Sequence, residues 1–160
     1  MLITSDMIDF IRLLKKNKVR YVLVGGFAVI YYGYIRTTQD IDILVLPTAE
    51  NAERMLAALK QFGFGSAGFT RAVFEKEGTA VHLGAEPNRI DILTSLKGVS
   101  NASVFSNLKK IRYKGISLNV ISFRDLVKCK KHSSRLKDRA DAEMLEKTSE
   151  KTAKGRPRRS

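Results

Sequence analysis

Apolar residues recur at helical or strand spacing along most of the chain. Over residues 6–17, Met7, Phe10, Ile11 and Leu14 fall on one stripe. That spacing predicts a helix, with Ser5 or Asp6 able to cap its start. The valine-rich run 19–24 predicts a short strand. Gly25-Gly26 ends it, and residues 27–33 have the spacing of a short helix. Residues 40–46 (DIDILVL) alternate and then turn wholly apolar, the pattern of a central strand. Pro47-Thr48 opens a predicted helix to about Phe62, with Ala52, Met55, Leu56 and Leu59 inward.

Gly63, Gly65 and Gly68 predict a flexible connection. Residues 72–76 and 79–83 predict a hairpin around Glu77-Gly78. Residues 90–93 predict a further strand, and 110–113 with 116–120 a second hairpin around Lys114-Gly115. Residues 97–108 have no clear period. Ser122 is placed to cap a helix through about Lys131, and residues 135–147 predict another. This order predicts an α+β domain: a mixed β-sheet with helices mainly on one face, and two C-terminal helices. The domain is expected over 1–148, with 149–160 as a basic tail. Residues 151–160 hold five basic residues and no acidic or large apolar one, which predicts disorder unless bound.

Composition changes this picture little. The chain has 160 residues, 44% hydrophobic and 28% charged, enough to bury a core. Charge changes it more. Residues 1–105 carry 12 Lys/Arg against 10 Asp/Glu, while residues 106–160 carry 17 against 6. The basic excess of the last third suits a polyanionic partner, such as a nucleotide, tRNA or other RNA. The plainer reading is a solvated basic surface. A lone Cys129 excludes an internal disulfide and accords with a reducing compartment. The start lacks the pattern of a signal peptide, and no apolar run approaches about 20 residues. A cytoplasmic protein without a membrane segment is expected.

Three features carry chemistry. Strand alternation puts Asp40 and Asp42 on one side and Ile41 and Ile43 on the other. Two carboxylates so close repel unless a cation joins them, and Mg²⁺ or Mn²⁺ is a suitable hard ion. Taken alone, the pair fits the solvated face of a half-buried strand better than a metal site. Gly25-Gly26, between a strand and a helix, can present backbone N–H groups to a phosphate. It can also be simply a tight turn. Asp91, in Arg89-Ile90-Asp91-Ile92, repeats the apolar–acid alternation and can join the pair if its strand lies alongside. His82 and His132 lack partners at metal-ligand spacing, and Tyr31, Tyr32 and Tyr34 read as packing residues.

The run Gly25-Gly26-Phe27-Ala28-Val29 … Tyr32-Gly33 … Arg36-Thr37-Thr38-Gln39-Asp40-Ile41-Asp42-Ile43 resembles the signature of the DNA polymerase β-like nucleotidyltransferase superfamily. Residues 33–42 are similar to small members, including the toxin-like group named after the abortive-infection AbiE system. Lys128 and Arg135-Leu136-Lys137-Asp138-Arg139-Ala140-Asp141 resemble a late segment of that group. The resemblance implies a metal-dependent enzyme moving a nucleoside monophosphate from an NTP to an acceptor hydroxyl. It implies Asp40, Asp42 and Asp91 as catalytic metal ligands, Asp91 also being the candidate base. Gly25, Gly26, Arg36 and Lys128 would contact the nucleotide. The acceptor stays open among an antibiotic, RNA such as a tRNA 3′ end, and a protein hydroxyl, and the toxin-like group implies an antitoxin-like partner chain. The alternative is an inactive relative that keeps the fold as a nucleic-acid or protein binding partner. Asp138 and Asp141 read as helix ion pairs with Arg135 and Lys137.

Overall fold

A computed structural model describes residues 3–154. Helix α1 spans Ser5–Lys16 and buries the expected stripe of Met7, Phe10, Ile11 and Leu14. Its cap is Thr4, not Ser5 or Asp6: the Thr4 hydroxyl accepts from the Met7 N–H. Asp6 in the first turn and Lys15 and Lys16 in the last complement the helix dipole. Strand β1 (Tyr21–Val24) runs into α2 (Gly25–Tyr31), and β2 covers Asp40–Val45. Helix α3 (Ala49–Leu59), capped by Thr48, passes into a π-helical turn at Lys60–Phe64. That turn breaks at Gly63, whose φ of 103° few side chains tolerate. Phe62 there packs its ring 5.0 Å from Phe10.

The expected 72–83 hairpin does not form. Arg71–Phe74 is a short helix, α4, while Ala80–Leu83 is strand β3, paired with β4 (Arg89–Leu93) instead. Two forces favour the helical turn: Arg71 reaches Glu75 at 3.0 Å, one turn on, and Phe74 is buried beside Phe69. Residues 97–108 resolve into an isolated Leu96–Val99 bridge and helix α5 (Asn101–Asn107), capped by Ser100. Strands β5 (Lys109–Tyr113) and β6 (Ile116–Val120) form the expected hairpin. Helix α6 (Phe123–Lys131) is capped by Ser122 as expected. Helix α7 runs over Leu136–Lys154, well past residue 147 and into the stretch expected as a tail. Residues 155–160 lie outside the described residues.

The six strands form one mixed sheet in the order β3-β4-β2-β1-β6-β5. The β2–β4 and β1–β6 pairs are parallel and the others antiparallel. This is the α+β architecture expected from the order of the elements. Ile41, Ile43, Ile90 and Ile92 enter the core with the buried residues of α1 and α3. The alternate residues of β2 and β4 are therefore left for chemistry. No helix among the described residues is long and apolar enough to cross a membrane.

One buried amide ties this frame together. Asn51, 2% exposed in the first turn of α3, accepts from the Arg20 N–H at 2.8 Å. It donates to the carbonyls of Arg20 at 3.1 Å and Leu46 at 2.9 Å. It thereby clamps the start of β1 to the end of β2. Asn51→Ala leaves the Arg20 N–H without its partner and takes one of two donors from each carbonyl, an expected cost of about 1–3 kcal/mol. Urea unfolding measures this, and a loss below about 0.5 kcal/mol contradicts the clamp.

Candidate active site

Register brings the acids together. In the parallel β2–β4 pair, Asp42 lies opposite Asp91 and Asp40 opposite Arg89. Val24 lies opposite Asp42 on the other side, and His82 of β3 opposite Asp91. One rung thus reads His82, Asp91, Asp42, Val24 across four strands. Asp91 sits on Asp42's own rung rather than on a neighbouring one. The opposite face holds the buried isoleucines, so the sheet cannot slip by one residue without exchanging carboxylates for core.

The glycine turn is fitted around this rung. Gly25 has φ +62°, and a Cβ placed there would lie 2.1 Å from Asp42 Oδ2. At Gly26 a Cβ would lie 2.6 Å from Thr38 Oγ1 and 3.3 Å from an Arg36 nitrogen. Both glycines therefore answer a close approach from the segment that leads into β2 or from β2 itself.

The charges around the acids are uneven. Burial, then the nearby Asp91, pushes the Asp42 carboxyl up to about 6. Lys130 and the Gly26 backbone N–H oppose that rise. Burial also raises Asp40 above the usual carboxylate range, against the pull of Arg89. Arg89 links the two strands: Nε donates to Asp91 Oδ1 at 2.8 Å, and Nη2 to Asp91 Oδ2 at 3.0 Å and Asp40 Oδ2 at 3.1 Å. His82 Nδ1 lies 2.6 Å from Asp91 Oδ1, so this histidine has a partner that sequence spacing did not reveal.

A cleft of about 290 Å³ opens beside Asp42. Val24, Gly25 and Asp42 form one wall, Leu126, Lys130 and Asp138 another, and Lys97 and Arg135 also line it. The lysine of α6 that faces it is Lys130, not Lys128. On α6 the buried side is Leu126, Val127 and Lys130, and Lys128 is exposed beside Arg124 over a separate hollow. Helical periodicity from Leu126 and Val127 is the signal that picks out Lys130.

Arg36 and the late acids form one buried network. Arg36 Nε lies 2.9 Å from Asp141 Oδ1, and its Nη2 donates to Asp141 Oδ2 at 3.0 Å. Lys130 Nζ reaches Asp138 at 2.8 Å and Asp141 at 3.0 Å. Ser133 Oγ donates to Asp138 at 2.6 Å. Asp141 thus pairs across elements rather than with Lys137 one turn away, and Arg135 is 4.0 Å from Asp138. Arg36 turns to α7 and lies against Gly26 instead of opening on the cleft. Tyr32 is a packing residue: its hydroxyl donates to the Ile121 carbonyl at 2.7 Å, and burial pushes its pKa up to about 12.

The donor chemistry suits a divalent cation. Asp40 Oδ1 is buried and has no hydrogen-bond partner among the described residues. Asp42 is a half-buried carboxyl whose ionised form is disfavoured. Both offer hard oxygens that a Mg²⁺-like ion would stabilise. Both oxygens of Asp91 are already engaged, by Arg89 and His82. Among the described residues no three His, Cys, Asp or Glu side chains are gathered closely enough to hold an ion.

The model of the aminoglycoside-2''-adenylyltransferase family matches residues 6–92, just over half of the chain. The match spans Gly25, Gly26, Asp40, Asp42 and Asp91 and stops short of α6 and α7. No curated protein matches. The crystal structure of a lincosamide antibiotic adenylyltransferase, LnuA with lincomycin bound, shares the fold with TM-score 0.53 at 16% identity. That match covers 91% of this chain and 98% of the other. The solution structure of the antibiotic-resistance factor ANT(2'')-Ia gives TM-score 0.54 at 10% identity, over 94% of this chain and 89% of that one.

Two outcomes are expected of the site's electrostatics. The folded Asp42 holds its proton up to about pH 6, against an ordinary value of 3.8. Its stabilising contribution is full below the ordinary value and is lost as pH rises through the folded one. Asp42→Asn should therefore melt above wild type near pH 8, with the gap closing by about pH 4. Melting at or below wild type near pH 8 contradicts the raised pKa. Asp141→Asn, in turn, weakens the charge shared by Arg36 and Lys130 at a residue 1% exposed. An expected loss of about 3–5 kcal/mol in urea unfolding follows. A change under about 1 kcal/mol would mean the network carries no net stability.

Proposed function

The chain belongs to the aminoglycoside-2''-adenylyltransferase family and is a nucleotidyltransferase; from that premise we propose that its reaction takes place at the rung of Asp42 and Asp91. The group moved is a nucleoside monophosphate, from an NTP to a hydroxyl of a small antibiotic-like acceptor. One observation carries the reading: Asp40, Asp42 and Asp91 share a sheet face beside a glycine turn with no room for a side chain.

In this mechanism the triphosphate enters the cleft between Gly25 and Lys130. The Gly25 and Gly26 N–H groups and Lys130 Nζ meet phosphate oxygens. Lys130 takes the part first expected of Lys128. Arg36 supports the turn from behind, through its contact with Gly26, and fixes Asp141. Asp40 and Asp42 would hold Mg²⁺ or Mn²⁺, which would neutralise charge developing on the phosphates. Asp91 accepts the acceptor's proton as the hydroxyl oxygen bonds to the α-phosphorus and pyrophosphate departs.

The matched family is named for aminoglycosides, and one matched fold is a lincosamide adenylyltransferase. An antibiotic hydroxyl is the acceptor class these names suggest. An RNA acceptor is the second reading, favoured by the exposed Lys109, Lys110, Arg112 and Lys114 along edge strand β5. The toxin-like role and antitoxin-like partner suggested by residues 33–42 and 135–141 go with that second reading.

The test offers α-labelled ATP, GTP, CTP and UTP with Mg²⁺ to an aminoglycoside, a lincosamide and total tRNA in parallel. Label is expected on an antibiotic; label on tRNA alone selects the second reading. Asp40→Asn and Asp42→Asn should each lower transfer by about 10²–10⁴-fold, the usual worth of one catalytic group. Transfer that survives both substitutions sinks the proposed site.

A further inference from the structure

Arg89 precedes Asp91 by two residues on β4, so both side chains leave the same face of the strand. Its guanidinium occupies both oxygens of Asp91 and one of Asp40, at 2.8, 3.0 and 3.1 Å. It spans β4 and β2 and holds an oxygen of Asp40, one of the two residues that would hold the ion. The other oxygen of Asp40 is buried and unpartnered. A positive charge therefore already stands between Asp40 and Asp91, and an ion entering there meets like charge. Arg89 also has an outward neighbour: Nη1 lies 3.7 Å from Glu86 Oε1, and its side chain is 30% exposed. The side chain can leave the acids without unfolding the strand.

We propose that Arg89 is the site's resident counter-cation, which excludes a free divalent ion and passes to the phosphates when metal and nucleotide arrive together. This rests on the divalent-cation reading given above. The physical basis is the guanidinium fork, which fits a carboxylate and a phosphate with the same paired geometry. An incoming triphosphate gives Arg89 a replacement for each contact it gives up. Metal alone offers no replacement: three charge-assisted hydrogen bonds are lost and the guanidinium is left beside a divalent charge. Metal and nucleotide thus bind cooperatively, each favouring the arrangement the other requires. Asp40 then has the ion in place of the guanidinium and Asp91 keeps its hydrogen bond with His82, so neither is left without a partner.

Calorimetric titration of Mn²⁺ into wild type and Arg89→Gln, with and without a non-hydrolysable NTP analogue, separates the two contributions. Arg89→Gln is expected to bind Mn²⁺ alone about tenfold more tightly. It should bind the analogue with Mn²⁺ about tenfold less tightly, near the worth of one charged hydrogen bond. Arg89→Lys keeps the charge without the fork and should fall between; it also serves if Arg89→Gln melts too low. Equal or weaker Mn²⁺ binding by both nucleotide-free variants overturns the inference. Asp42→Asn distinguishes it from the metal reading itself. Mn²⁺-nucleotide binding that needs Asp42 yet ignores Arg89 defeats the counter-cation alone; binding indifferent to Asp42 defeats the metal reading.

Discussion

Two carboxylates face each other across a parallel strand pair, and the neighbouring structure is arranged to keep them there. Asp42 and Asp91 share a rung of the sheet while the reverse of that rung is packed isoleucine. Like charges at this distance in a half-buried setting repel strongly. The protein answers with partners from three elements, two of them cations. Arg89 and His82 take Asp91, and Lys130 stands toward Asp42 from α6. Burial, with Asp91 beside it, nevertheless holds the Asp42 carboxyl above the usual carboxylate range. A site in which each acid was fully paired would be more stable and would leave no ligand for a cation or a phosphate.

The alternation within each strand was readable from the sequence, and the register between strands was not. Residues 40–43 and 89–92 each display their acid-bearing face by period alone. That the two runs lie side by side, in parallel, depends on a long-range pairing that no local pattern encodes. The same limit hid His82. Assigning residues 72–76 as its hairpin partner placed β3 beside the wrong strand, and only the pairing with β4 brings His82 to Asp91. Arg89 was readable, because it stands two residues from Asp91 on one face. It drew no role in the sequence because a basic residue on a strand is most often a solvated one.

The C-terminal helices show a different kind of limit. Sequence always offers Asp138 and Asp141 an i,i+3 or i,i+4 partner, since helical neighbours are known in advance. Asp138 does pair with Arg135, at 4.0 Å, but its closer partners are Lys130 of α6 and Ser133, and those of Asp141 are Lys130 and Arg36 of the loop before β2. Burial decides between them. Asp141 lies almost fully enclosed, where an ion pair is stronger and an unpaired charge far costlier than at the surface. Lys137 is exposed and could satisfy it only by leaving water. The likeness of residues 135–141 to a late nucleotidyltransferase segment therefore marks a fastening. It ties α7 to Lys130 and to Arg36, and through them to the cleft and to the glycine turn.

That fastening changes how the glycine pair is understood. A phosphate-binding turn asks only for exposed N–H groups and a backbone free to adopt them. Gly25 and Gly26 satisfy this, but each is also required by a side chain of the same molecule. At Gly25 any Cβ collides with Asp42 itself, and the backbone has the left-handed φ that favours glycine. At Gly26 the backbone is ordinary, and the obstacle is Thr38 and Arg36, which precede β2. The turn and the acids are thus one packed unit. A side chain added at residue 25 would displace the carboxylate as well as crowd a phosphate. Spacing between a glycine pair and an Asp-x-Asp strand is constrained physically, because the first glycine is the space into which the second aspartate projects.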